Sequence, residues 1–154
     1  MDTTHPVVVI GAGPTGLAAA AHLIEQNQDV LVLEAGTSVG AAIEQWKHIK
    51  LFSPWRFDID AAAQRLLETP SESYAGDWVA PRETKLPTGA ELINEYLEPL
   101  ANHPRLASQI KYGHRVTKIS RLHQDGRGID KTRTAGRDES LFLGRTTPAP
   151  VSET

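Results

Sequence analysis

The sequence contains no cysteine. That excludes disulfides, a thiolate nucleophile and a thiolate metal site. It also fits a reducing compartment, so the cytoplasm is the expected location. Long apolar runs are missing too. The run nearest the N-terminus, Val7-Val8-Val9-Ile10, stops at a glycine after four residues. It is too short for a signal-peptide core or a membrane span, so no membrane association is expected. No excess of charge of one sign is present either. The formal net charge is −3 with both signs interspersed, which leaves no basic footprint for nucleic acid. His5, His22, His103, His114 and His123 are scattered without ligand spacing, and no metal site is expected. There are no internal repeats. A chain of 154 residues has room for one ordinary domain. It is too short for the second nucleotide domain that most two-substrate flavin or nicotinamide enzymes need.

The first forty residues carry most of the functional signal. The apolar run enters Gly11-Ala12-Gly13-Pro14-Thr15-Gly16, an alanine-rich stretch follows, and Val30-Leu31-Val32-Leu33 then stops on Glu34. Strand, glycine turn, helix, strand and acid are the parts that hold a dinucleotide. The first strand is expected to lie buried in a parallel sheet. Gly11 permits the tight turn, Gly13 lets the backbone approach a pyrophosphate, and Gly16 lets the helix pack closely on the sheet. Small Ala20, one turn later, helps that packing. The helix start offers free N–H groups and a positive dipole end to phosphates. Glu34 can accept hydrogen bonds from ribose hydroxyls, and its charge would repel a 2′-phosphate. FAD or NAD is therefore favoured over NADP at this first site.

Further along, Gly36-Thr37-Ser38 reads as a turn and Ile49 to Leu51 as a short strand or extended arm ended by Pro54. Asp58 or Asp60 can cap a helix through Ala61 to Leu67. Residues 69–87 read as irregular. Thr88 and Glu91 form a capping box that opens a helix with Leu92, Ile93, Tyr96, Leu97 and Leu100 on one face, and Pro104 closes the region. A strand is expected over Lys111 to Arg121. The chain thus divides into 1–122, a partial nucleotide-binding domain, and 123–154, an irregular charged loop followed by an unpacked tail from Gly144. The fold class is α/β: a Rossmann-like FAD/NAD(P)-binding domain, a parallel sheet with flanking helices, apparently incomplete. The open sheet edge of such a truncated domain favours aggregation or partner pairing.

Several residues have both a sharp reading and a plain one. Trp46, Phe52, Trp55 and Phe57 could line a flavin ring, but aromatics in a mixed segment are more often core or interface residues. His48 has no identifiable acid–base partner. Ser53 lacks the context of a nucleophile. Lys131, Arg133 and Arg137 could attract a phosphate, although a solvated loop is the better reading.

The stretch VVVIGAGPTGLAAAAHL with VLVLEAG resembles the FAD-binding domain of two-dinucleotide-binding-domain flavoproteins. That group includes flavin-containing monooxygenases, Baeyer–Villiger-type enzymes and disulfide reductase-like oxidoreductases. HIKLFSPWRFDID, PTGAELINEYLEPLA and DKTRTAGRDES resemble a bacterial subgroup of FAD-dependent, monooxygenase-like oxidoreductases. The resemblance implies that Gly11, Gly13, Pro14, Thr15 and Gly16 hold the FAD pyrophosphate and Glu34 the adenosine ribose. It puts Ala35 and the backbone of Val116 near the adenine. Gly40 to Trp46 stands where relatives have a Gly-Gly-x-Trp stretch near the flavin. Here Ala41 replaces the second glycine, and Trp46 lies further on. The implied function is the N-terminal FAD-binding portion of an NAD(P)H-dependent flavin oxidoreductase or monooxygenase. NADPH or NADH would be the electron donor and a small molecule the substrate of the complete protein. No second GxGxxG follows, so the chain is expected to be a truncated or frame-interrupted fragment without turnover of its own. The alternatives are an NAD-binding dehydrogenase-type domain and a non-catalytic nucleotide-binding remnant. Substrate, choice of nicotinamide and oligomeric state are not legible. No catalytic residue can be named, because in flavoproteins the cofactor carries most of the chemistry.

Overall fold

The computed structural model describes residues 5–121 and 142–148, with side chains described up to Ile119. Strand β1 (Val7–Ile10) leads through the glycine turn into helix α1 (Pro14–Glu25), which returns to strand β2 (Val30–Leu33). Leu17, Ala20, Ala21 and Ile24 form the buried stripe of α1, at the spacing a helix needs to face a sheet. The two strands run parallel, Val7 opposite Val30 and Ile10 opposite Leu33. A long excursion then carries the remaining helices before strand β3 (Ile110–Lys111) joins β2 in parallel, giving the order β1-β2-β3. This is the parallel sheet with flanking helices that the opening motif requires.

The first strand differs from expectation. It lies at the sheet edge, and Val7, Val8 and Ile10 are 43%, 46% and 52% exposed. An all-apolar strand is suited to burial on both faces. Here the described residues bury one face only, that of Val9 toward α1, and pair β1 on one side only.

The excursion begins with α2 (Ala41–Glu44) and α3 (Trp55–Asp58), then α4 (Ala61–Glu68). Asp60 caps α4, accepting from the N–H groups of Ala62 and Ala63. Burial pushes the Asp60 carboxyl up, but hydrogen bonds from Ala63, His22 and Ala62 outweigh it and hold the group below its ordinary range. The expected arm at Ile49–Leu51 is a single bridge between Lys50 and Thr88. The segment 69–87 has no regular element, yet it is tied down. Its carbonyls at Pro87, Lys85 and Glu83 accept from Leu51, Trp55 and Arg56.

Thr88 and Glu91 make the expected reciprocal capping box at the start of α5 (Gly89–Leu92). The helix then widens into a π-helical stretch, Ile93–Leu97, before continuing as α6 (Glu98–Ala101). Pro99 accounts for this. It has no N–H to donate four residues back, and its ring crowds the Glu95 carbonyl. That carbonyl instead accepts from the Trp78 indole at 2.8 Å, which pins the irregular segment to the helix. Pro104 does not close the region. It opens α7 (Pro104–Ala107), whose N-cap is His103.

The expected strand from Lys111 to Arg121 is divided. Gly113, at φ +69°, separates β3 from β4 (His114–Arg121). A side chain is disfavoured in that backbone region, so the glycine marks the break. Residues Phe142–Pro148 form β5, paired antiparallel with β4. Gly144 to Pro148 therefore belong to a two-stranded sheet rather than to an unpacked tail, while 149–154 lie outside the described residues.

Candidate nucleotide site

The C-terminal ends of β1 and β2 meet the start of α1, and the three fingerprint glycines are there for three different reasons. Gly11 has φ +97°, a conformation that glycine adopts without strain. A Cβ on Gly16 would collide with the Gly11 carbonyl oxygen, so the helix approaches the turn as closely as backbone allows. Gly13 has neither constraint. Its φ of −90° and ψ of −174° suit any residue, and a Cβ there would meet nothing within 4 Å. Among the described residues, nothing in the fold itself demands glycine at this position. Gly13 is also the N-cap of α1, and no side chain caps that end. The first-turn amides remain available to an anion. Pro14 sits at the start of the helix, where its missing N–H costs nothing, and Thr15 is exposed beside it.

Glu34 follows β2 and faces the turn. One carboxylate oxygen accepts from the Ala12 N–H at 2.6 Å and the other from the Gly36 N–H at 2.6 Å. Its own backbone is fixed on the far side, with its N–H on the Lys111 carbonyl and its carbonyl accepting from His114. Half-buried Ala35 lies between Glu34 and Gly36. Val116 is on β4, two residues beyond the His114 contact with Glu34. Tyr112 stands at the same junction. Burial and the charges of Glu34 and Glu98 push its phenol up.

The structure therefore brings Gly11, Gly13, Pro14, Thr15, Gly16, Glu34 and Ala35 to one place, with Val116 along the adjoining strand. Trp46 is elsewhere. It packs near Gly89, whose Cβ would lie 3.0 Å from the indole. With Ile49, Lys50, Leu51, Phe52 and Ser53 it lines a separate, mostly apolar cavity of about 550 Å³. Ala12 and Gly36 were not singled out from the sequence, and Gly40 only as the start of the flavin-side stretch. The Gly40 N–H donates to the Ala12 carbonyl at 3.0 Å, and Gly40 itself has φ +64°. A Cβ on Gly36 would collide with Ala41. The small-residue spacing from Gly36 to Ala41 was the available signal.

The aromatics divide. Trp55 is wholly buried, whereas Phe52 is 100% and Phe57 69% exposed, so those two are not core residues. The Ser53 hydroxyl donates to Asp58, and His48 is exposed. Lys131, Arg133, Arg137 and His123 lie outside the described residues. Among the described residues no cluster of metal-ligating side chains occurs, and no helix is long and apolar enough to cross a membrane.

A family model described as pyridine nucleotide-disulphide oxidoreductase matches residues 8–137. The chain belongs to that family. An Arabidopsis thaliana protein named as a flavin-containing monooxygenase is 32% identical over 132 residues, which are 84% of this chain and 25% of that protein. Two solved structures are similar in fold. A steroid monooxygenase bound to NADP has a TM-score of 0.54 at 24% identity, over 74% of this chain and 20% of its own. OTEMO in complex with FAD and NADP has a TM-score of 0.54 at 21% identity, over 76% of this chain and 20% of its own. The chain thus spans about a quarter of the length of the relative it matches. The shared fold is the Rossmann-like FAD-binding one, of which this chain covers a part.

Proposed function

We propose that the chain is the FAD-binding portion of an NAD(P)H-dependent flavin oxidoreductase or monooxygenase. The observation that carries this reading is Gly13: a glycine that its own fold does not require, at an uncapped helix start, with Glu34 at the end of the neighbouring strand. In this reading Gly11 to Gly16 hold the pyrophosphate through backbone N–H groups, and Glu34 accepts from the adenosine ribose. Ala35 and the Val116 backbone flank the adenine. Bound FAD would supply the redox chemistry; these residues bind and orient its adenosine end. NADPH or NADH would reduce the flavin in the complete protein, and a small molecule would be the substrate. Trp46, in its apolar pocket, would be the flavin-side contact. The absence of cysteine supports a cytoplasmic location. The chain alone is not expected to turn over.

An NAD-binding dehydrogenase-type domain is the second reading, because Glu34 serves either ribose. Titrating the chain with FAD and with NADH, each followed by ligand fluorescence, separates them. FAD is expected to be quenched at the lower protein concentration. Tighter binding of NADH favours the second reading, and no binding of either leaves a remnant without a nucleotide role.

A further inference from the structure

We infer that Glu34 is also a positioning residue, whose carboxylate clasps the Ala12 and Gly36 amides and so holds the phosphate-binding turn in shape before any nucleotide arrives. This rests on the nucleotide reading above and extends it, because a ribose contact alone gives Glu34 no task in the empty site.

Both carboxylate oxygens are already engaged at 2.6 Å, one on each side of the site. The Ala12 N–H lies inside the turn, and the Ala12 side chain is wholly buried. Solvent is poorly placed to replace a lost acceptor there, and a buried donor left without one is costly. The Ala12 carbonyl is held by the Gly40 N–H. Residues 34–40 thus grip Ala12 by both of its backbone polar groups. The grip is stiff, because the Glu34 backbone is itself fixed between Lys111 and His114. Gly36 must come close to be held, and even a Cβ there would sit 3.1 Å from the Glu34 carboxylate.

The clasp and the ribose contact are compatible. A carboxylate offers about four lone-pair positions. Two are spent on the amides, and the others remain for ribose hydroxyls. Glutamine at this position fails for a geometric reason. Its NH₂ would face one of the two N–H groups, donor against donor.

The test is Glu34→Gln in the full chain, with two readouts. Amide exchange in the nucleotide-free protein is expected to accelerate by at least about tenfold at Ala12 or at Gly36, whichever N–H the glutamine NH₂ faces, the loss of a charge-assisted hydrogen bond. The Gly11 amide, bonded to the Leu33 carbonyl, should keep its protection. The second readout is the affinity of ADP divided by that of adenosine, which isolates the diphosphate. A ribose-only role weakens both ligands equally and leaves the ratio unchanged. Removing a negative charge would by itself raise the ratio. A fall therefore reports a turn that has lost its shape, and a fall is expected. Unchanged exchange at both Ala12 and Gly36, or a ratio that stays level or rises, overturns the inference. If Glu34→Gln does not fold, Glu34→Asp keeps the charge but withdraws it by one methylene, and both effects should keep their sign. Should the parent bind neither ADP nor adenosine, the nucleotide reading falls, and exchange at Ala12 and Gly36 alone decides the clasp.

Discussion

Gly16→Ala is expected to destabilise the chain by about 3 kcal/mol, the upper range for forced overpacking. The added Cβ would collide with the Gly11 carbonyl oxygen, lie 3.0 Å from its carbonyl carbon and 3.4 Å from a Val9 methyl. Two of these three obstacles are backbone atoms, which have no rotamer to change. The turn cannot swing away, because Gly11 is fixed by its hydrogen bond to the Leu33 carbonyl. Helix α1 cannot withdraw cheaply either, since Leu17, Ala20, Ala21 and Ile24 would leave the core with it. Urea unfolding followed by tryptophan fluorescence measures the loss. The midpoint should fall with little change in slope. A midpoint equal to the parent's would mean that α1 does not press on the turn.

Trp55→Ala is expected to cost about 3–5 kcal/mol, the usual loss for a large aromatic removed from a core. Trp55 is wholly buried and belongs to the same core cluster as the buried residues of α1, of α4 and of the helical stretch around Leu97. Its backbone N–H ties α3 to the Lys85 carbonyl, so the cavity would open where the irregular segment is anchored. Trp55→Phe should cost much less. The indole Nε1 is buried with no hydrogen-bond partner among the described residues, and phenylalanine removes that donor with little volume. The same urea experiment compares the two. Equal losses would show that the full indole volume, and not merely an aromatic ring, is required.

The sequence was most informative where one short stretch decides the structure. The strand, turn and helix of residues 7–25 and the strand at Val30–Leu33 are set by local apolar patterning and by glycines with local reasons. The Asp60 and Thr88 caps are equally local, each reaching its own next turn. What was illegible depends on distant partners. The exposure of Val8 and Ile10 follows from what lies beside and above β1, which no property of four apolar residues encodes. Pro99 was visible, but its consequence needed a donor for the freed Glu95 carbonyl, and Trp78 is distant in sequence. The pairing of Phe142–Pro148 with β4 joins segments more than twenty residues apart, the last of them without a clear alternation.

The candidate site was legible to a similar degree. Gly11, Gly13, Gly16 and Glu34 are found together as the spacing implies. Ala12 was passed over because its task belongs to its backbone amide and not to its side chain. Gly36 looked like an ordinary turn residue, and Gly40 entered only through the resemblance, until their contacts with Glu34 and Ala12 were known. Trp46 followed from a resemblance that puts it near the flavin, and its neighbour Gly89 lies far along the chain.

The measurement that bears most directly on the central claim is FAD fluorescence quenching by Gly13→Ala beside the parent. The space around a Cβ at this position is open and the backbone is unstrained. The variant should therefore fold within about 1 kcal/mol of the parent. On the proposed reading its methyl group would occupy the place of a phosphate, and FAD affinity should fall by about tenfold or more. A folded Gly13→Ala protein that quenches FAD as tightly as the parent would contradict the account.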